Sequence, residues 1–168
     1  MRRSVSLAFL GILLLSACAK PPATSTVDTR PALLAALDGD WRMTGDVKGK
    51  PVTYSLVARP LLASTFTELH MKDLQVPAQY EARVFIGYDK KTGQIIVHWL
   101  DSFGARYSIP HGTGSISGNT MEFQIPYGTG PFRDSLSFDP GTGSWSLRIE
   151  AADRSGNWQH FARCEIKK

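Results

Sequence analysis

Residues 80–100, YEARVFIGYDKKTGQIIVHWL, decide the fold of this chain. Apolar and polar side chains alternate on both sides of a break at residues 89–93, and alternation with a period of two is typical of strands with one buried face. The break, Asp-Lys-Lys-Thr-Gly, is rich in turn-forming residues. The stretch therefore predicts two antiparallel strands joined by a short hairpin.

The same pattern continues in both directions from this hairpin. Ten alternating runs are each followed by turn-forming residues, and no amphipathic helix of useful length interrupts them. Short links favour an up-and-down order, because strands adjacent in sequence pair in space. The sequence predicts an all-β fold, a ten-stranded antiparallel barrel, with a β-sandwich as the alternative. The predicted strands are residues 41–47, 52–58, 64–71, 80–88, 94–100, 106–116, 120–125, 132–138, 144–151 and 158–166.

One short helix is predicted before the first strand. Residues 32–37 are alanines and leucines, and Pro31 suits the first helical turn. Asp28 or Thr29 is expected to cap the N-terminus of this helix. The leucines are expected to pack across one end of the barrel.

The N-terminal segment predicts export. Arg2 and Arg3 precede an apolar run over residues 5–15, which is too short to span a bilayer and is typical of a secretory signal. The following Leu-Ser-Ala-Cys resembles the bacterial lipobox, which implies cleavage before Cys18 and lipidation of its thiol. We therefore predict a signal peptide at residues 1–17, a Pro/Ser/Thr-rich flexible tether at 18–29 and a barrel domain at 30–168.

Location follows from the same resemblance. In Gram-negative lipoproteins an aspartate after the lipidated cysteine implies retention at the inner membrane, and here the residue is Ala19. The expectation is a lipid-anchored protein of the cell envelope, at the outer membrane and facing the periplasm. With Cys18 lipidated, Cys164 has no disulfide partner and is expected to be a buried core thiol.

The small net charge of the chain does not indicate a nucleic-acid partner. The chain has 19 Lys and Arg against 15 Asp and Glu, and loss of Arg2 and Arg3 with the signal leaves 17 against 15, a net charge of +2. The basic residues form no stripe or run, so no nucleic-acid partner is expected. The oligomeric state is left open by the sequence.

Three motifs carry a family resemblance. Gly39-Asp40-Trp41 resembles the Gly-x-Trp opening of lipocalin-like barrels, in which the tryptophan closes one end. The segments 86–93 and 98–104 resemble the central Gly-Tyr-Asp and Trp-Leu-Asp-Ser-x-Gly motifs of a bacterial lipocalin-like family catalogued as a domain of unknown function. This resemblance covers residues 34–166 and implies a barrel, but it implies no reaction.

The motif residues have structural interpretations. Gly87 is expected to leave room for a bulky ring such as Trp99, and Asp89 to bond the backbone of its turn. Asp101 is expected to cap the loop after its strand, or to place a polar group at the mouth of a cavity. Gly104 is expected to supply a positive φ.

The sequence predicts no catalytic residues and no metal site. The four histidines lack local metal-ligand spacing, no nucleophile elbow is present, and the Gly-x-Gly segments precede no helix. No cofactor is expected. Haem is the alternative, because nitrobindin-like barrels resemble this pattern and hold haem through a C-terminal histidine, to which His160 corresponds in position only.

The leading functional hypothesis is a barrel that binds a small, largely apolar molecule. Two alternatives stay open, namely an envelope scaffold that binds a protein and no ligand, and an enzyme with a buried polar cluster. Residues 126–132 are expected to form a mobile rim at the cavity. The candidate ligand-binding residues are His98, Trp99, Arg106, His111, Tyr127, Phe132 and His160.

Overall fold

The computed structural model describes residues 28–168. The predicted signal peptide, Cys18 and all but the last two residues of the predicted tether lie outside the described residues. The helical elements are α1 (Ala32–Ala36) and the single-turn 3₁₀ helix η1 (Ala105–Tyr107). The strands are β1 (Gly39–Val47), β2 (Lys50–Leu61), β3 (Phe66–Asp73), β4 (Glu81–Asp89), β5 (Gln94–Asp101), β6 (Gly112–Ser117), β7 (Thr120–Ile125), β8 (Phe132–Asp139), β9 (Ser144–Ala152) and β10 (Trp158–Lys167).

The ten strands form a closed barrel, which confirms the predicted fold class. Each strand pairs antiparallel with its neighbours in sequence, and β1 closes the barrel by pairing with β10. The sandwich alternative is therefore wrong. Alternation along each strand sends one set of side chains into an apolar interior, as the period of two predicts.

The two ends of the barrel differ. We call the end covered by α1 the helix end; it also carries the hairpins β2–β3, β4–β5, β6–β7 and β8–β9. We call the opposite end the loop end; it carries the β1–β2 turn and the loops at residues 74–80, 102–111, 126–131 and 153–157.

The helix end is sealed by apolar packing, as predicted. Leu34 and Leu37 are fully buried, and the indole Nε1 of Trp41 donates a 2.7 Å hydrogen bond to the carbonyl oxygen of Leu37. The expected cap is wrong, because the N-cap residue is Pro31 and no side chain caps the helix. Asp28 instead accepts hydrogen bonds from Arg30, through both the backbone N–H and the guanidinium.

Strand β6 is shorter than predicted. The sequence predicts a strand from residue 106, but β6 begins at Gly112, which pairs with Val97. Pro110 lacks an N–H to donate to a ladder, and the segment before it folds into η1 instead. Residues 98–101 of β5 therefore have no partner strand on the β6 side, and the 102–111 loop lies beside that gap.

A bulge in β10 places His160 on the face opposite to the one that strict alternation along the strand predicts. The register with β9 shifts between His160 and Ala162, so that His160 lies on the outer face while Ala162 and Cys164 face the interior. A uniform alternation would have placed all three on one face, and the extra residue of the bulge breaks it. Cys164 is free and buried, as expected.

The ring of Phe66 fills the space beside Gly87, where Trp99 was expected. A Cβ atom at Gly87 would lie 2.6 Å from the ring of Phe66, on the outer face of the barrel. Trp99 faces the interior instead. The turn roles are confirmed, since Asp89 accepts a 2.9 Å bond from the backbone N–H of Lys91 and Gly104 has a φ of 95°. No helix within residues 28–168 has the length and apolarity needed to cross a membrane.

Candidate ligand-binding site

The barrel interior contains a small apolar cavity of about 20 Å³. All of its lining side chains are apolar or aromatic, and they include Met43, Leu56, Met71, Trp99, Phe123 and Leu136. Space of this size accommodates about one water molecule. The interior is thus nearly filled by its own side chains, and a ligand larger than water requires some of them to move.

Asp134 is the one strongly buried carboxyl of the described interior that has an unpartnered oxygen. It lies on β8 between Phe123 of β7 and Ile149 of β9, and only 2% of its surface is exposed. Its Oδ1 atom has no hydrogen-bond partner. Because burial disfavours the charged form, the pKa of Asp134 is raised to about 8. Leu136, the next inward residue of β8, lines the cavity.

Three side chains at the loop end of β5, those of Trp99, Tyr80 and Asp101, form a second polar cluster. The indole Nε1 of Trp99 donates a 3.1 Å bond to the hydroxyl of Tyr80, which in turn lies 3.4 Å from Oδ2 of Asp101. Asp101 also accepts a 3.0 Å bond from the backbone N–H of Phe103, which confirms its predicted capping role. Burial raises the pKa of both Asp101 and Tyr80.

Tyr127 and Phe132 form an aromatic cluster across the predicted rim. Their rings lie 5.4 Å apart in an edge-to-face arrangement, and the ring of Phe161 lies 4.9 Å from that of Phe132. Such pairs add packing energy beyond the area that they bury. The pKa of Tyr127 is raised to about 12, first by burial and then by the negative charges of Asp134 and Asp101. Tyr127 therefore lies within the electrostatic reach of both carboxyls.

Three of the predicted site residues lie outside the barrel wall. His98 is exposed on the outer face of β5, where its ring is 5.7 Å from that of His111. Arg106 lies on η1 with its guanidinium 5.9 Å from the ring centre of Tyr107. His98 also lines an outer groove of about 440 Å³ together with Leu61, Leu62, Phe66, Phe85, Leu100 and Ser108.

His160 also points away from the interior. Its Nε2 atom lies 2.7 Å from Oδ1 of Asp46 on the outer face, and this contact lowers the pKa of Asp46. The histidine that corresponds in position to a haem ligand therefore does not fit a haem held inside the barrel. Of the predicted ligand residues, the structure places Trp99 at the cavity and Tyr127 and Phe132 in the rim cluster.

Comparison with known proteins places this barrel in a family. The family model described as "Protein of unknown function (DUF1579)" matches residues 28–168. The chain belongs to the DUF1579 family. The crystal structure of Rv2717c from M. tuberculosis is similar, with a TM-score of 0.55 and 17% identity over 83% of this chain and 98% of that chain. At that identity the likeness supports the fold alone. A comparison with curated proteins finds no match.

The DUF1579 match confirms the expected membership of a family of unknown function. The Gly-Tyr-Asp and Trp-Leu-Asp-Ser-x-Gly motifs that suggested it stay a prediction as family markers. Within residues 28–168 of this DUF1579 barrel, no cluster of three or more His, Cys, Asp or Glu side chains is arranged to hold a metal ion.

Two residues of the candidate site, Tyr80 and Asp134, are absent from the sequence prediction. Tyr80 was treated only as the start of a strand, although it bridges Trp99 and Asp101. Asp134 was overlooked within its alternating run. The signal was present, because Asp134 occupies the same face as the apolar Phe132 and Leu136, and a carboxyl at a core position is a marker of function.

Proposed function

We propose that this protein binds a small, largely apolar molecule inside the loop end of its barrel. The observation that carries the proposal is the unpartnered Oδ1 of Asp134, whose neighbours Phe123 and Leu136 line an apolar cavity. An apolar pocket with a few convergent polar groups is typical of small-molecule sites. Burial of ligand surface would supply affinity, at about 25 cal/mol per Å², and the carboxyl would orient the ligand.

Flexible side chains make room for such a molecule. Met43 and Met71 line the cavity of about 20 Å³, and methionine adapts to a new neighbour at low cost because its chain is unbranched. The ligand would enter at the loop end, since α1 seals the helix end. Tyr127 and Phe132 serve as the gate, because their cluster lies at the rim and shares the electrostatic environment of Asp134.

A matched pair of substitutions tests this function. Leu136→Phe adds volume to the cavity lining, whereas Leu100→Phe adds the same volume on the exposed outer face. Titration with benzene, followed by NMR of the Trp99 indole and the cavity methyl groups, is expected to show binding to the original protein and to the Leu100→Phe variant, with at least a ten-fold loss in Leu136→Phe. Equal binding to both variants would place the benzene elsewhere and contradict the proposal.

The proposed location is the outer membrane, facing the periplasm, with the lipid on Cys18. The lipobox-like segment supports the anchor. Arg30 bonds Thr67 near the start of β3, at the helix end, so the chain enters the barrel there and the loop end would face away from the bilayer. Labelling with radioactive palmitate tests the anchor, and Cys18→Ser is expected to abolish the label, while Cys164→Ser retains it. A label that persists in Cys18→Ser would overturn this location.

A second candidate function is an envelope scaffold that binds a protein. The specific observation is a set of exposed apolar side chains at the loop end, where Val76 is 98%, Ile109 72% and Phe103 67% exposed. Apolar patches of this kind often mark interaction surfaces. A photo-crosslinking residue at position 103 is expected to capture a discrete partner in cells, while the same residue at position 91, on the helix-end β4–β5 hairpin, captures none. Equal patterns at both positions would count against the scaffold.

A further inference from the structure

Carboxyls at the loop end of the interior lack cationic partners. Asp73, Asp101 and Asp134 lie on inward positions of β3, β5 and β8, and none of the ion pairs within residues 28–168 involves them. Asp73 is satisfied by the backbone N–H groups of Gln75 and Gln79. This end of the interior therefore carries acidic groups with no basic side chain to balance them.

Asp134 differs from the other two carboxyls in its surroundings. Its neighbours across the sheet are Phe123 and Ile149, neither of which can donate a hydrogen bond through its side chain. An isolated carboxylate in such a place costs several kcal/mol unless a partner neutralises it. A ligand group that brings both a positive charge and an N–H donor would remove that cost.

Aromatic rings around the same opening add to the attraction for a cation. Tyr127 senses the charges of both Asp101 and Asp134, and its ring packs against Phe132. Aromatic faces attract ammonium groups, because the ring quadrupole presents negative charge at its face. The combination of ring faces and an unpaired carboxyl is the chemistry that recognises organic amines.

We propose that the ligand of this barrel is an organic amine, whose ammonium group pairs with Oδ1 of Asp134 among the loop-end aromatic rings while its apolar body occupies the cavity, enlarged by movement of the side chains that line it. This inference rests on the proposed function and names its ligand class. An alcohol of the same shape supplies a hydrogen-bond donor without the positive charge. A carboxylate is repelled by the negative charges of Asp101 and Asp134. Charge therefore sets the order of affinities.

The affinity for an amine is expected to depend on pH, whereas the affinity for an uncharged apolar molecule requires no ionised carboxyl. Burial raises the pKa of Asp134 to about 8, so below that pH an incoming ammonium displaces the carboxyl proton to solvent and keeps its own. Affinity for the amine therefore rises as pH increases towards 8, by up to about ten-fold per unit. The titratable side chains at this end of the interior are Tyr54, Asp73, Tyr80, Asp101, Tyr127 and Asp134. The side chains that flank Asp134 on β7 and β9 do not titrate.

Three probes with one ring and different charges test the inference. Benzylammonium, benzyl alcohol and benzoate are titrated into the purified protein at pH 6 and pH 8 by calorimetry, with the Trp99 indole resonance as the marker of site. Benzylammonium is expected to bind at least ten-fold more tightly than the alcohol at pH 8, and more tightly at pH 8 than at pH 6. Benzoate is expected to bind most weakly.

Two isosteric variants assign the effect to one carboxyl. Asp134→Asn is expected to abolish the preference for benzylammonium and its pH dependence, while affinity for benzyl alcohol changes less than three-fold. Asp139→Asn removes the same charge from the other end of β8, in an exposed hairpin, and is expected to leave the preference unchanged. Thermal unfolding of both variants verifies that they are folded.

The possible failures are distinguishable. Equal affinities for benzylammonium and benzyl alcohol, with a shift of the Trp99 resonance, would overturn the amine and leave the proposed function intact. A preference that survives in Asp134→Asn would overturn the assignment to that carboxyl. If no probe binds and the Trp99 resonance does not move, both the amine inference and the proposed function are overturned.

Discussion

The two ends of this barrel solve the problem of buried charge in opposite ways. At the helix end, the side chain of Arg30 is 2% exposed and is paired at 2.6 Å with both Asp28 and Asp38, and it also donates a 2.8 Å bond to the fully buried Thr67. The pKa of Arg30 is raised by these carboxylates. The buried guanidinium of Arg30 is thus paired with two carboxylates, and the buried hydroxyl of Thr67 has a hydrogen-bond donor.

At the loop end, the buried carboxyl of Asp134 has no cationic partner. Asp134 has no partner for Oδ1, and its pKa is raised because burial acts without an opposing cation. One polar atom at the helix end is also unpartnered, the Nε1 of Trp145, but a neutral N–H costs less to bury than a carboxylate. The comparison indicates that the helix end stabilises the fold, while the loop end gives up stability at Asp134, the residue on which the proposed function depends.

The largest expected loss of stability is at the helix end. Arg30→Ala leaves Asp38 without its cation and Thr67 without its donor. Because the carboxylate side chains of Asp28 and Asp38 are 40% and 30% exposed, we expect a loss of about 2–3 kcal/mol of unfolding free energy, typical of hydrogen bonds to a charged group. Urea denaturation measures this loss. Arg59→Ala is the control, because the Arg59–Asp40 pair is exposed and its loss costs below about 1 kcal/mol. Equal losses in the two variants would contradict the comparison.

The next effect is a change in pH dependence at the loop end. Below pH 4, Asp134 is protonated in both the folded and the unfolded chain. Between pH 4 and 8 only the unfolded carboxyl ionises, since the folded pKa is about 8, so stability falls as pH rises, by at most about 1.4 kcal/mol per unit. Asp134→Asn removes this loss, and its stability relative to the original protein is expected to increase by about 2–5 kcal/mol from pH 4 to pH 8.

Denaturation curves at pH 4, 6 and 8 measure that difference directly. Subtraction of the original protein from the variant cancels the contributions of paired acids such as Asp28, whose pKa is lowered to about 2 by Arg30. A difference that stays constant over the three pH values would show that Asp134 titrates normally in the folded protein.

A smaller effect is expected in the Trp99–Tyr80–Asp101 group. Tyr80→Phe removes the acceptor of the Trp99 indole N–H, and loss of one buried hydrogen bond costs about 1–2 kcal/mol. Tyr107→Phe removes the hydroxyl of a half-exposed tyrosine and is expected to change stability by less than about 0.5 kcal/mol. Thermal unfolding distinguishes the two, and an equal effect would show that the Tyr80 hydroxyl is solvated.

The smallest effect on stability is expected at the exposed apolar residues of the loop end. Phe103 is 67% exposed, so Phe103→Ser is expected to cost below about 1 kcal/mol. The same change is expected to reduce binding of an apolar dye to the protein surface, because Phe103 belongs to the exposed set. A large drop in melting temperature would mean that this ring supports the fold, in contrast to the comparison drawn here.

Much of the fold was predictable because its signals are local. The period-two alternation and the turn residues at 89–93 gave the β4–β5 hairpin, and the same logic gave ten strands in the observed order. The weak points were the places where one residue changes the register. Pro110 shortens β6, and the bulge at His160 turns that side chain outwards, and neither consequence is visible in the alternation of polar and apolar residues.

The site was predictable only in part. Trp99, Tyr127 and Phe132 were selected for their type and position, and the structure brings them to the cavity or its rim. The positions of His98 and His160, each in mid-strand near a tryptophan, predict a place in the site, yet both lie on the outer face.

By itself, the sequence determined the number and order of the strands, and the inward face of each strand where the alternation is uninterrupted, because these depend on neighbours within a few residues along the chain. Only the tertiary structure decided that Arg30 meets Asp38 and Thr67 while Asp134 meets no donor at all. The partners of a buried charge come from strands that are distant in sequence, and their distances are fixed only when the barrel closes. That closure separates an end whose buried cation is paired from an end whose buried carboxyl has an unpartnered oxygen.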